Sequence, residues 1–129
     1  MTWAALRAFS EGGSIAAVES SFLGSLILAP YLRLDSAVGA LAPSDFSQGF
    51  YGEVFSSIMR CPHPEAVMVL HDLEGRDAKA PQGSYGWATV ISSILDDPLA
   101  EGDAATEAAK AIRTASVERA ILARRGAKP

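Results

Sequence analysis

Between Ser14 and Pro30 the apolar residues recur at the spacing of a helix: Ile15, Val18, Phe22, Leu26 and Ala29 fall on one stripe, and Leu23 and Ile27 widen it. A face that broad has to be buried. Inside it sits Gly24, and glycine in a helix interior costs about 1 kcal/mol relative to alanine. Such a residue is tolerated where a second helix crosses too closely to leave room for a side chain. Ser14 stands where an N-cap is expected, and Pro30 stops or kinks the helix because it lacks an N–H and clashes with the preceding turn.

The same period, punctuated by proline and glycine, continues along the chain. A second short helix is predicted through Leu32, Leu34, Val38 and Leu41, and Pro43-Ser44-Asp45 is a turn and capping cluster. A third helix carries Phe46, Phe50, Val54, Phe55, Ile58 and Met59 on a wide apolar face. Cys61-Pro62-His63-Pro64 breaks the chain, and Pro64 fits the first turn of a fourth helix with Val67, Met68, Leu70 and His71, ending at Gly75. Arg76 to Gln82 reads as an exposed loop. A fifth helix holds Tyr85, Ala88, Val90, Ile91, Ile94 and Leu95 and closes at Asp96-Asp97-Pro98. The β-branched run Thr89-Val90-Ile91 would suit a strand, but no partner strand of similar quality lies nearby.

The longest helical pattern runs from Asp103 to Arg125, with acidic residues at its start and Arg119, Arg124 and Arg125 at its end, in keeping with the helix dipole. Its apolar positions are Ala108, Ala111, Ile112, Ala115, Ala120, Ile121 and Leu122, and the alanines permit close approach of another helix. The pattern therefore predicts an all-α fold, a compact bundle of about six helices spanning residues 14–125. Residues 1–13 form an N-terminal arm whose Trp3, Leu6 and Phe9 can line one side of a short helix, and residues 126–129 form a tail. The arm would pack on its own domain or dock on another subunit.

At 129 residues, with 49% of them hydrophobic and 20% charged, the chain can bury a single core without disulfides or metals. A net charge of −4 and a pI near 5.1 argue against nucleic acid as a direct partner, since backbone binding needs clustered Lys and Arg. The lone cysteine, Cys61, excludes an internal disulfide and suits a reducing compartment. The longest apolar run, Phe22 to Leu32, is about half of the roughly 20 residues that a membrane-spanning helix needs. The charged start and apolar middle of a secretion signal are missing, so a cytoplasmic location is expected.

Phosphate chemistry finds no support, because a P-loop ends in Gly-Lys-Ser/Thr and none of Lys79, Lys110 and Lys128 follows a glycine. Cys61, His63 and His71 lack the spacing of a metal site, and the pairs Ser56-Ser57 and Ser92-Ser93 look like ordinary helix-face residues. No enzyme activity, metal or cofactor is expected. Asp96, Asp97, Glu101, Asp103 and Glu107 form an acidic patch, while Arg113, Arg119, Arg124, Arg125 and Lys128 make the far end basic. These are solvated helix ends, or they aid a salt-sensitive association of subunits.

Two segments carry a family likeness. Glu19, Phe22, Leu23, Gly24, Leu26, Ile27 and Leu28 stand in the frame E-x-x-[VL]-L-G-x-[LM]-[LM]-L, and Asp45-Phe46 is followed nine residues later by Phe55 of the pair Val54-Phe55. In order and spacing they resemble the N-terminal domain of DnaB-type replicative DNA helicases, an all-helical assembly module distinct from the motor. Gly83-Ser84-Tyr85-Gly86-Trp87-Ala88 is similar to that family's G-G-x-x-Y-L helix start, and Ala104 to Leu122 is similar to its final helix. Tyr51 stands where the family commonly has histidine, Ala29 where it has an acidic residue, and Ser84 where it has a second glycine.

The resemblance implies a globular head with a helical hairpin extension and a non-catalytic role in DNA replication. It implies self-association, as dimers or larger, and contacts with helicase subunits, primase or helicase loader in a primosome. Carried over, the pairing surface would lie between Gly83 and Leu122 and use Trp87, Ile91, Ile94, Ile112 and Ile121. The alternative reading is a small helical DNA-binding regulator that uses the basic C-terminal helix.

Overall fold

A computed structural model describes residues 14–81, 83, 85–99 and 102–126, and among these every regular element is helical. Six α-helices follow one another: α1 (Ile15–Leu28), α2 (Ser36–Gly39), α3 (Gly49–Arg60), α4 (Ala66–Gly75), α5 (Trp87–Leu95) and α6 (Gly102–Gly126). Short 3-10 turns at Pro30–Leu34 and Pro43–Asp45 flank α2. The expected arm over residues 1–13 lies outside the described residues.

The broad apolar stripe of α1 is covered from several sides. This helix packs against α3, α5 and α6, and every residue from Ser21 to Ile27 is buried. At Gly24 the crossing with α5 is so close that a Cβ would collide with the backbone carbonyl oxygen of Ile94. The glycine is therefore required by a helix contact within the domain, which offsets its intrinsic cost. Ser14 holds the cap position of α1, but its side chain makes no capping bond.

Three aromatic rings run through the core in series. Phe22 on α1 lies 6.3 Å from Phe46, and Phe46 lies 5.1 Å from Phe55 on α3, both within the range of favourable tilted pairs. Phe46 is not on α3, as the periodicity suggests, but three residues ahead of it. The cause is local: Ser47 gives both its N–H and its hydroxyl to the Glu19 carboxylate, each at 2.7 Å, so the segment is tied to α1 before it can turn into helix.

Two further differences from the predicted helices have similar causes. The short helix expected through Leu32 and Leu41 is split at Asp35, whose carboxylate accepts from the amides of Ala37 at 2.8 Å and Val38 at 3.3 Å and so caps α2. Leu34 consequently points outward, 89% exposed. In α4, which starts two residues beyond Pro64, the buried pair is Val69 and Leu73, while Val67 is 73% exposed and Met68 and His71 also face outward. Arg76 ties the end of α4 to α3. That guanidinium binds Asp72 on α4 itself and, across to α3, the Glu53 carboxylate at 2.6 Å and the Ser57 hydroxyl at 2.6 Å.

The loop after α4 is less exposed than its composition implies, because Ala78 and Ala80 pack partly against the core. Trp87 opens α5 and holds this loop by donating its indole N–H to the Ala78 carbonyl at 2.7 Å. Tyr85 lies outside α5 and is exposed. The last helix, α6, is 25 residues long and matches the predicted span to within a residue at each end. Among the described residues it is a single extended helix, with no second helix completing the expected hairpin.

Candidate interaction surface

The motif residues of the two family-like segments are structural. Glu19, Phe22, Leu23, Gly24, Leu26, Asp45, Phe46, Val54 and Phe55 are all buried; Phe22, Phe46 and Phe55 meet where α1, α3 and the segment before α3 come together, whereas Gly24 faces α5 and Asp45 faces α6. The two carboxylates among them do opposite jobs electrostatically. Burial pushes the Glu19 carboxyl above the ordinary glutamate range, although the two Ser47 donors and the charge of Arg119 pull the other way. Burial also raises Asp45, but the amide of Ala42, the hydroxyl of Ser116 and the guanidinium of Arg113 together outweigh it and leave that carboxyl below the usual range.

Asp45 is the pin that fixes α6. Its side chain accepts from Arg113 at 2.7 Å and from Ser116 at 2.8 Å, and its carbonyl accepts from Arg119 at 2.7 Å. The second carboxylate oxygen takes the Ala42 amide at 2.8 Å, closing the turn. The roles of Ser116, Arg113 and Arg119 as partners of Asp45 were not evident from the sequence. Their spacing at i, i+3 and i+6, which places polar groups along one side of a helix, is the signal that carries them.

The surface expected for pairing is mostly interior. Trp87, Ile91, Ile94 and Ile112 are buried against this chain's own core, where α5 and α6 close over α1, so a partner cannot reach them. Ile121 differs: it is 44% exposed. Ile112 and Ile121 are nine residues apart, which is about two and a half helical turns, so they stand on opposite sides of α6 and never formed one stripe.

Among the described residues, besides Val67 and Met68 on α4 and Tyr85 before α5, two apolar regions are open to solvent. One is a groove of about 520 Å³ where the Pro30–Leu34 turn meets the α3–α4 connection, lined by Tyr31, Leu34, Met59, Pro62 and His63. Beneath it Arg33 donates to the carbonyls of Ile58 at 3.0 Å and Cys61 at 2.8 Å, capping the end of α3 and joining the two walls. The other is the distal end of α6, where Val117, Ile121 and Leu122 are exposed and every residue from Ala120 to Gly126 faces solvent. Nearby chemistry is unremarkable: burial pushes the Cys61 thiol up, with Asp72 adding to that effect, and among the described residues no three His, Cys, Asp or Glu side chains group as metal ligands. No described helix is long and apolar enough to cross a membrane.

No protein-family model, no curated protein and no solved structure matches this chain.

Proposed function

We propose that this chain is a non-catalytic helical interaction module similar to the N-terminal domain of a DnaB-type replicative helicase. It acts in DNA replication, in the cytoplasm, through contacts with helicase subunits, primase or helicase loader. The observation that carries the reading is the meeting of the two family-like segments: Phe22, Phe46 and Phe55 stack in series while Glu19 binds Ser47 and Asp45 binds α6. Residues in the family's frame thus have a physical reason to be the types they are, which supports a shared fold rather than a chance match of letters.

Four of the five residues first expected to pair subunits lie in the core, so contact between this chain and others falls to the surfaces left open, above all the distal end of α6. Light scattering on the purified protein, alone and mixed with primase and with full-length helicase, tests the proposal. A complex with either partner is the expected result. Strict monomers at tens of micromolar under all three conditions, or turnover of nucleoside triphosphate by the chain alone, would overturn it.

A further inference from the structure

The distal part of α6 has an outer side whose character changes along the helix. Val117 and Ile121, 42% and 44% exposed, each lie nine residues from a buried position, Ala108 and Ile112 respectively. At 3.6 residues per turn that separation puts them on the side facing away from the core. Earlier on α6 this outer side carries Asp103, Glu107 and Lys110, all exposed, as expected of a face that meets water. From Val117 onward it turns apolar, and Arg124 and Arg125 flank the Val117–Ile121 pair on its two edges. Leu122, also exposed, lies farther round the helix, beyond Arg125 and Glu118.

We infer that this face docks an acidic amphipathic helix of a partner protein. The inference rests on the reading of the chain as an interaction module and adds the chemistry of what it receives. An apolar ridge with spacing of one turn suits another helix, whose own i, i+3, i+4 residues would cover it. The charge selects the partner. On this side of residues 117–126 Arg124 and Arg125 stand against Glu118, Arg119 being turned inward to the Asp45 carbonyl, so in a chain whose net charge is −4 this end is locally basic.

A second copy of this chain is the wrong complement. Parallel pairing through Val117 and Ile121 sets Arg124 and Arg125 against one another, and antiparallel pairing brings Arg124 to the edge held by Arg113, whose guanidinium already has Asp45 as its carboxylate partner. Nucleic acid would satisfy the arginines but leave the apolar ridge uncovered. Glutamates flanking a leucine-rich face satisfy both.

The test uses the intact chain and two labelled synthetic helical peptides with identical leucine spacing, one flanked by glutamate and one by lysine. Fluorescence anisotropy should show binding of the glutamate peptide only, weakening roughly tenfold between about 50 and 300 mM salt as screening grows. Val117→Glu with Ile121→Glu should abolish that binding, and Arg124→Glu with Arg125→Glu should transfer it to the lysine peptide. The melting temperature should be unchanged in both, since all four side chains are exposed. Equal binding of both peptides, binding of neither, concentration-dependent dimers lost in the same variants, or capture of a duplex DNA probe would each overturn the inference. If Val117→Glu with Ile121→Glu leaves complexes with helicase or primase intact in light scattering, the interaction module stands and only this docking face falls.

Discussion

Replacing Gly24 by alanine is the most direct probe of the packing, because there α1 and α5 touch backbone to backbone. Alanine brings a favourable term of about 1 kcal/mol from helix propensity. Against it, the new Cβ lands on the carbonyl oxygen of Ile94, with the Ile94 side-chain methyl also within contact distance. Overpacking a core costs about 1–3 kcal/mol, and the upper end applies where the obstructing atom is backbone and cannot swing aside. The helices must separate, which loosens the Trp87 and Ile91 contacts that close the core. The net expectation for Gly24→Ala is a loss of about 2 kcal/mol, or roughly 6–12 °C in melting temperature for a domain of this size. Gly75→Ala is the internal control, since nothing lies within 4 Å of a Cβ there, and it should be neutral or stabilising by up to about 1 kcal/mol. Urea denaturation followed by circular dichroism measures both. A Gly24→Ala protein as stable as its parent would refute the close crossing and the explanation of the glycine with it.

Truncating Phe46 or Phe55 to alanine should each cost about 3–5 kcal/mol in urea denaturation, because both rings are enclosed in the aromatic series; unchanged midpoints would mean that they face a partner instead. Arg76→Ala should lose roughly 1–2 kcal/mol by freeing Glu53, Asp72 and Ser57, and Arg76→Lys should recover only part of it, since one ammonium cannot reproduce the fork. Stability should also depend on pH in two directions. Asp35, held low by the Thr106 hydroxyl, Asp72, held low by the Ser57 hydroxyl, and Asp45 favour their charged forms in the fold, so their contribution is complete above the unfolded value of 3.8 and is lost as pH falls through their lowered values. Glu19 is shifted up, so the fold gains stability as pH falls from neutral toward the unfolded value of 4.5. The urea midpoint should therefore rise on mild acidification and drop below about pH 4, and Glu19→Gln should remove the rise alone; a midpoint that falls steadily from pH 7 in the parent would contradict the assignment.

What was legible in the sequence was whatever a single helix decides for itself. The period of α1, the breaks at Pro30 and Cys61–Pro64, the dipole-matched ends of α6 and the glycine that needs a close neighbour were all readable, because each follows from local geometry and residue type. What was not legible was which neighbour covers which face. In α4 the run Val67-Met68-Val69-Leu70 is apolar all round, so its period cannot fix a phase, and Val69 and Leu73 are the side chains turned inward where α4 packs on α3 and α5. The same limit governed Trp87, Ile91, Ile94 and Ile112: apolar spacing says that a face is covered, and a second subunit or the chain's own α1 would leave an identical pattern. Length settles the matter for α6. With 14 residues α1 is about 21 Å long, and with 25 residues α6 is about 37 Å, so the shorter helix cannot shield the longer one to its end. Ala104, Ala105, Ala108, Ala109 and Ile112 are buried, whereas Val117 and Ile121 face the other way, although Arg119 between them still reaches inward to the Asp45 carbonyl. Among the described residues no other element covers Val117 and Ile121, and the docking face proposed above is the reading that gives these exposed apolar side chains a use.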